Sequence, residues 1–439
     1  MEAHARSFRH YMPLTFLIGF GFFTVGMMDP LYDSYVQIFL ARYIPYKWVI
    51  GLFMSLDNLF ALFLIPLVSV WSDHTRTPIG RRMPWIVTLL PLSACAFALI
   101  PYAAARSLAA LVGLLVILNA LKQSVRGPIV ALMPDSVPGE YRSQANGVIN
   151  TMGNIAAIVG TVFLARLMDV DATLPLIGAT KDVLAFPAAS AFVLVAVVFL
   201  FAFVREKGVS EDGETAGEKV PFFRSIGMVL LAKDKSAFLV LLSLFFWFVA
   251  YQGVMPFLTE YSIRSFGLTT GQGPLAMGMV GIASALAAIP MGYAASRWGR
   301  RRMIRISLVA TALVIILVYL LEPATRSGLV PGSSAKFAYW GLMFAFGIFW
   351  ISIVANSFPM LWQMAHFSNI GVYTGLYYTF SQLAAIVAPS FFGGIIDLFG
   401  MRSMFLLCAF FFALAFATMG FVTSGEKDDK PLSLDPGTY

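Results

Sequence analysis

Asn154–Asp169 reads NIAAIVGTVFLARLMD and Gln382–Asp397 reads QLAAIVAPSFFGGIID, an ungapped match between two distant apolar stretches. A second echo lies in polar loops: Asp73–Arg82 ends in GRR, and Ser296–Arg302 reads SRWGRRR. Two matches in corresponding places make the chain a tandem of two copies of one unit. Composition says what kind of unit. Of 439 residues 59% are hydrophobic and 12% charged, whereas soluble domains are about a quarter charged. Apolar runs of about 18 residues or more recur from end to end, each long enough to cross a hydrocarbon core of about 30 Å as a helix. Backbone N–H and C=O groups in lipid must pair within the protein, so helices are expected; the ~10-residue alternation of an outer-membrane barrel is absent.

Working outward from the matched stretches, twelve spans are expected near 12–42, 48–72, 84–104, 108–134, 145–168 and 184–204, then 237–262, 273–296, 304–322, 338–364, 370–396 and 402–423. The long match falls in spans five and eleven and the loop echo after spans two and eight. The fold class is therefore an all-α membrane protein of twelve transmembrane helices in two six-helix halves. Residues 1–204 form the first half, 205–235 a linker rich in Glu, Gly and Lys, 236–424 the second half and 425–439 a tail. Arg6 and Arg9 precede an apolar stretch that runs on into a polar-studded span without a small-residue cleavage site, so the first span is expected to be kept. Arg76, Arg81, Arg82, Arg142, the linker cations and Arg297–Arg302 gather in one set of alternating loops. That asymmetry predicts that both termini and the linker face the cytoplasm of a cell membrane, a bacterial inner membrane. It also accounts for the net charge of +7 without nucleic acid as a partner. Cys95 and Cys408 both lie in apolar runs, which fits small packing residues rather than a disulfide framework or metal cluster. No P-loop, zinc motif or Ser-His-Asp set is present, so no cofactor, metal or enzymatic activity is expected.

A charge near the bilayer centre costs about 2.5–3.5 kcal/mol on insertion scales and needs a partner or an aqueous cavity. Asp29, Asp33 and Gln37 recur every four residues on span one, a single helical stripe. Asn119, Lys122, Gln123 and Arg126 form a stripe on span four, and Asp57 with Asn58 lies in span two. Two readings stand: a salt-bridge network that pins helices, or the wall of a solute pathway with a coupling carboxylate, Asp57 first, then Asp29 and Asp33. Asn146, Asn150 and Asn154 line span five; the internal repeat sets Thr374, Tyr378 and Gln382 at the matching positions of span eleven. The second half shows no comparable intramembrane charge. Its candidates are Trp247, Tyr251, Gln252, Trp350, Asn356, Tyr377 and Tyr378, aromatic faces and amides suited to the C–H faces and hydroxyls of a pyranose, with bundle packing the competing reading. In the loops, Asp73, Arg76, Gly80, Arg81 and Arg82, with Asp135, Arg142, Arg300 and Arg301, suit a cytoplasmic gate that latches one conformation; the arginines are expected to enforce topology as well.

Pro66–Ile86, PLVSVWSDHTRTPIGRRMPWI, resembles the corresponding segment of plant sucrose/proton symporters and their animal and bacterial relatives, and Gly127–Asp135, GPIVALMPD, is similar to their GPxxALxxD. Tyr35–Gln37 matches part of their PYVQ segment, and the loop starting at Asp73 is similar to the DxTRxxxGxxxPW style of glycoside, pentoside and hexuronide cation symporters. The likeness covers residues 29–170 closely and the second half in architecture. It implies the major facilitator fold and secondary active transport of a glycoside, often a disaccharide, coupled to protons. Apart from the resemblance, alternating access by a monomer is expected from the two-half plan, and sodium is a competing ion because carboxylate and amide oxygens suit it too. Val130 stands where plant members have arginine, with Arg126 one turn earlier, and His74 where many relatives have arginine. An exporter of amphiphilic compounds is the alternative within transport, and a membrane-embedded enzyme or receptor the alternative outside it.

Overall fold

Twelve helices long and apolar enough to cross a membrane follow one another in the computed structural model, which describes residues 8–138, 141–175, 177–206, 234–364 and 370–425. They are α1 (Phe8–Leu40), α2 (Lys47–His74), α3 (Met83–Arg106), α4 (Leu108–Ser136), α5 (Arg142–Ile158, continued by a π turn over Val159–Phe163 and a 3-10 end over Leu164–Asp169) and α6 (Ala185–Phe203). The second set is α7 (Ser236–Phe266), α8 (Leu275–Trp298), α9 (Arg300–Arg326), α10 (Gly332–Gln363), α11 (Ile370–Phe399) and α12 (Ser403–Gly420). The twelve-helix, all-α architecture expected from the apolar runs is present. A two-residue antiparallel ladder, Thr173–Leu174 with Gly178–Ala179, closes the turn between α5 and α6. Of the expected linker, residues 207–233 lie outside the described residues, as does the tail from 426 onward.

The chain divides into two compact units: described residues 8–45, 56–206 and 267–278 form one, and 46–55, 234–266 and 279–425 the other. Within the first, α1 packs along α5 and α6, and α3 along α4 and α6; within the second, α7 packs along α11 and α12, and α9 along α10 and α12. Each of these four pairings in the first unit recurs six helices later, the structural counterpart of the internal sequence match.

Chain order and packing part company at two places. α2 breaks at Ser55, and its first turns pack on α11 in the second unit. Residues 267–278 pack in the first unit. Close backbone approach makes the first of these possible: a Cβ on Gly51 would lie 2.4 Å from the Pro389 carbonyl, so the small-residue crossing seen in membrane bundles applies. The final residue of each matched stretch secures its own crossing. Asp397 accepts hydrogen bonds from the Lys47 and Trp48 backbone N–H groups at 2.8 and 3.0 Å. Asp169 accepts from the Gly271 N–H at 2.9 Å and the Thr269 hydroxyl at 2.6 Å. Lys47 and Trp48 open α2, where a carboxylate at the free N–H groups is favoured by hydrogen bonding and by the helix dipole together; Thr269 and Gly271 lie in the turn that leads into α8.

Candidate functional site

In the first unit, three helices bring their polar stripes together. Lys122 on α4, 2% exposed, donates to Asp29 on α1 at 2.7 Å and lies 4.8 Å from the centre of the Tyr32 ring. Asn119, one turn back on α4, donates to the Tyr32 hydroxyl at 2.9 Å. The other Asp29 oxygen is 4.0 Å from the Arg126 guanidinium, so the carboxylate facing Arg126 is Asp29. Asp57 on α2 accepts from the backbone and side-chain amide of Asn58. Asp33 and Asp57 both lie in the electrostatic field of Lys122 and Asp29, yet among the described residues neither has a cation within ion-pair distance. Gln37 is fully buried with both amide atoms unpartnered, and Asn119 Oδ1 and Gln123 Oε1 are likewise without partners among the described residues. Buried polar atoms of this kind are normally hydrogen-bonded, so these groups hold hydrogen-bonding capacity that the described residues leave unused. Asn150 and Asn154 on α5 are exposed, and Asn150 spends its amide on Asn146.

The loop after α2 forms a compact ionic cluster. Arg82, 4% exposed, donates through Nε to Asp135 at 2.9 Å and through its two other nitrogens to Asp73, the Ser72 hydroxyl and the Ser69 carbonyl. Arg81 grips the same Asp135 with two bonds at 2.7 and 3.2 Å, a bidentate arrangement that fixes geometry as well as charge. Arg76 turns back onto the carbonyls of Asp73 and Thr75, and Arg142 donates to the Pro134 carbonyl. Glu206, just past α6, accepts from the Arg82 and Met83 N–H groups at the start of α3. Gly80, at φ +110°, leaves it room, since a Cβ there would stand 2.1 Å from the Glu206 carboxylate. Sequence reasoning places Glu206 in the linker and assigns it nothing; an acid immediately after a span, opposite a GRR loop, is the available signal. Asp73, Arg81, Arg82 and Asp135 are thus brought together, while Arg300 and Arg301 belong to the second unit, where Arg300 donates to the Pro359 carbonyl.

The second unit has an aromatic interior. Tyr251 on α7 stacks on Trp350 of α10 with ring centres 4.1 Å apart and planes within 8°, and Phe346 continues the stack. Tyr377 stacks on Phe358 at 3.6 Å and shares a hydrogen bond with Ser357. Tyr378 is exposed, and Gln252 and Gln382 are half-buried. Trp247 is fully buried with its indole N–H unpartnered among the described residues, and Asn356 donates to the Ser352 carbonyl on its own helix. The second unit also holds buried acids, near the ends of its spans. Glu260 on α7 is buried and takes Lys47 at 2.6 Å and Arg264 at 2.7 Å. Glu322 on α9 is buried too and takes Arg326 at 2.5 Å, Arg402 at 3.8 Å and the Ser265 hydroxyl. In sequence, Lys47, Arg264 and Arg326 count only as scattered loop charges and Glu260 and Glu322 are assigned nothing; packing of the α2 start into this unit buries the Lys47–Glu260 pair.

The Major Facilitator Superfamily profile matches residues 3–161, 183–389 and 275–436. The chain belongs to that superfamily. No curated protein sequence matches it significantly. Among solved structures it is similar to a bacterial homologue of the human lysosomal transporter Spinster in an inward-facing, occupied conformation (TM-score 0.71, 12% identity, 95% of this chain and 97% of that one). A variant of the nucleoside transporter NupG gives a TM-score of 0.71 at 13% identity over 94% and 99% of the two chains, and a bacterial metal transporter 0.63 at 14% over 92% and 97%. At these identities the likeness is one of fold. As a major facilitator protein with twelve spans, the chain is a multi-pass membrane protein, and the superfamily and these neighbours are transporters of small molecules rather than enzymes.

Proposed function

We propose that this major facilitator protein is a secondary active symporter that couples uptake of a glycoside or disaccharide to protons by alternating access. The observation that carries this reading is the charge imbalance of the first unit. Asp29 holds the buried Lys122, and Arg126 reaches only Asp29 among the described carboxylates; Asp33 and Asp57 share the same field with no contacting cation of their own among the described residues. Three half-buried carboxylates around two cations favour uptake of one more positive charge. A cycle in which that charge is a proton, taken up on one side and released on the other, is the simplest use of the arrangement, with Asp57 as the first candidate and sodium as the competing ion.

Support for the substrate class comes from each unit taken by itself. The unpartnered amide atoms of Gln37, Asn119 and Gln123 suit a ligand bearing many hydroxyls, and the Tyr251–Trp350 stack supplies a flat face for pyranose C–H groups. The resemblance of the Pro66–Ile86 segment to glycoside symporters points the same way, and the Arg82–Asp73–Asp135 cluster is the gate of this reading. The arginine-rich loops favour cytoplasmic termini. A counterflow screen of mono- and disaccharides in liposomes tests the substrate class. Trans-stimulated exchange of at least one glycoside is expected; exchange of none, with efflux of amphiphilic compounds instead, would move the assignment to an exporter.

A further inference from the structure

At the start of α9 lie Arg300, Arg301, Arg302 and Arg305, within the first two turns. Arg301, Arg302 and Arg305 head a recess of about 770 Å³ between α9 and α12, and none of its lining residues is acidic. The Arg305 guanidinium sits 5.0 Å from the centre of the Phe416 ring of α12, and its Nε is buried without a hydrogen-bond partner among the described residues. Away from the arginines the recess becomes apolar: Ile306, Val309 and Leu313 are 48%, 42% and 57% exposed along one face of α9. From Arg301 to Leu313 the helix rises about 18 Å, close to the depth of one leaflet in a core of about 30 Å. Glu322, the acid on the same helix, stands at its far end, where Arg326 and Arg402 occupy it.

We infer that this recess is a binding site for an anionic glycerophospholipid, its phosphate against Arg302 and Arg305 and an acyl chain along Ile306, Val309 and Leu313. Each part of the ligand meets matching chemistry. Arg302 and Arg305, heading a recess with no acid in its lining, call for a ligand of net negative charge. A free phosphate would leave the apolar groove unfilled, and a choline lipid would bring its own cation to the arginines. Basic recesses between helices at a membrane interface are the sort of site that anionic headgroups occupy. The chain of the lipid would also cover the Phe416 ring that the Arg305 guanidinium already faces.

Native mass spectrometry of the purified full chain, titrated with phosphatidylglycerol or with phosphatidylcholine of the same acyl chains, tests the site. The parent should retain phosphatidylglycerol with at least about a tenfold preference, as two or more arginine contacts would give. Arg301→Gln/Arg302→Gln/Arg305→Gln should reduce that preference to within about threefold. Leu313→Trp, which keeps every charge and obstructs the groove, should weaken phosphatidylglycerol while leaving any retention of inorganic phosphate unchanged. Should the triple variant fold poorly, the parent alone decides, through the difference between the two lipids in raising its melting temperature. Equal retention of both lipids by the parent, or an undiminished preference in the triple variant, would overturn the assignment. Loss of phosphatidylglycerol and phosphate together in Leu313→Trp would also overturn it, because the groove would then have no part of its own in binding.

Discussion

Both units hold acids among their helices, buried in the second and half-buried in the first, and they neutralise them differently. In the second unit Glu260 and Glu322 each meet two cations, Lys47 with Arg264 and Arg326 with Arg402. In the first, Asp29, Asp33 and Asp57 lie around Lys122 and Arg126, and of the three only Asp29 makes ion pairs among the described residues. An acid with two cations nearby gains little from a further proton, and removing Glu260 strands the buried Lys47; an acid without a contacting cation is the one whose charge is free to change. On the proposed symport, the charges of the second unit hold the structure and those of the first carry the coupling.

The largest effect is expected at Asp57. Asp57→Asn should abolish accumulation of sugar against its gradient while leaving exchange between two loaded faces, measured as counterflow in the same vesicles, because exchange does not require the empty carrier to return deprotonated. Asp29→Asn and Asp33→Asn, run beside it, identify which carboxylate cycles. Uphill accumulation by all three variants would erase the distinction between the units.

Glu260→Gln is the converse experiment. It leaves Lys47 buried without its carboxylate, which should cost about 3–5 kcal/mol, visible as a large fall in apparent melting temperature. Protein that remains folded should still couple. A variant that keeps its stability and loses coupling would transfer the coupling role from Asp57 to Glu260.

Smaller effects sharpen the picture. Trp350→Leu removes the face against which Tyr251 stacks and should weaken sugar binding about tenfold, read from the concentration dependence of counterflow; unchanged affinity would make the stack bundle packing only. Asp73→Asn takes one carboxylate from Arg82 but leaves Asp135 in place, so turnover should fall by about threefold with affinity changed by less than about twofold. Collapse of affinity with turnover preserved would contradict a gating role.

How much of this is legible in the sequence depends on whether a residue's partner lies close in the chain or on a repeated element. The twelve spans and the two-copy plan follow from apolar runs and from the match of spans five and eleven, both local signals. The loop cluster is legible because Asp73, Arg81, Arg82 and Asp135 sit in recognisable segments at the ends of successive helices. The carboxylate facing Arg126 is not, since Asp29, Asp33 and Asp57 differ by the rotation and height of helices that composition does not report. Glu260, Glu322 and Lys47 escape sequence reasoning for a related reason. Each lies near a span end where water is the default neighbour, and only the break of α2 at Ser55, with its first turns packed on α11, brings Lys47 to Glu260. Asp169 and Asp397 are on view as the last letters of the matched stretches, but a carboxylate aimed at a turn or a helix start is a property of the packed structure.

Sugar-driven pH change in vesicles is the most direct test of the claim that the first unit's unmatched carboxylates move a proton. Adding a transported glycoside outside vesicles that hold the parent protein should produce an immediate external alkalinisation, lost in Asp57→Asn and retained by folded Glu260→Gln. Sugar flux through the parent with no pH change, whether or not sodium is present, or alkalinisation by Asp57→Asn equal to the parent's, would contradict the account.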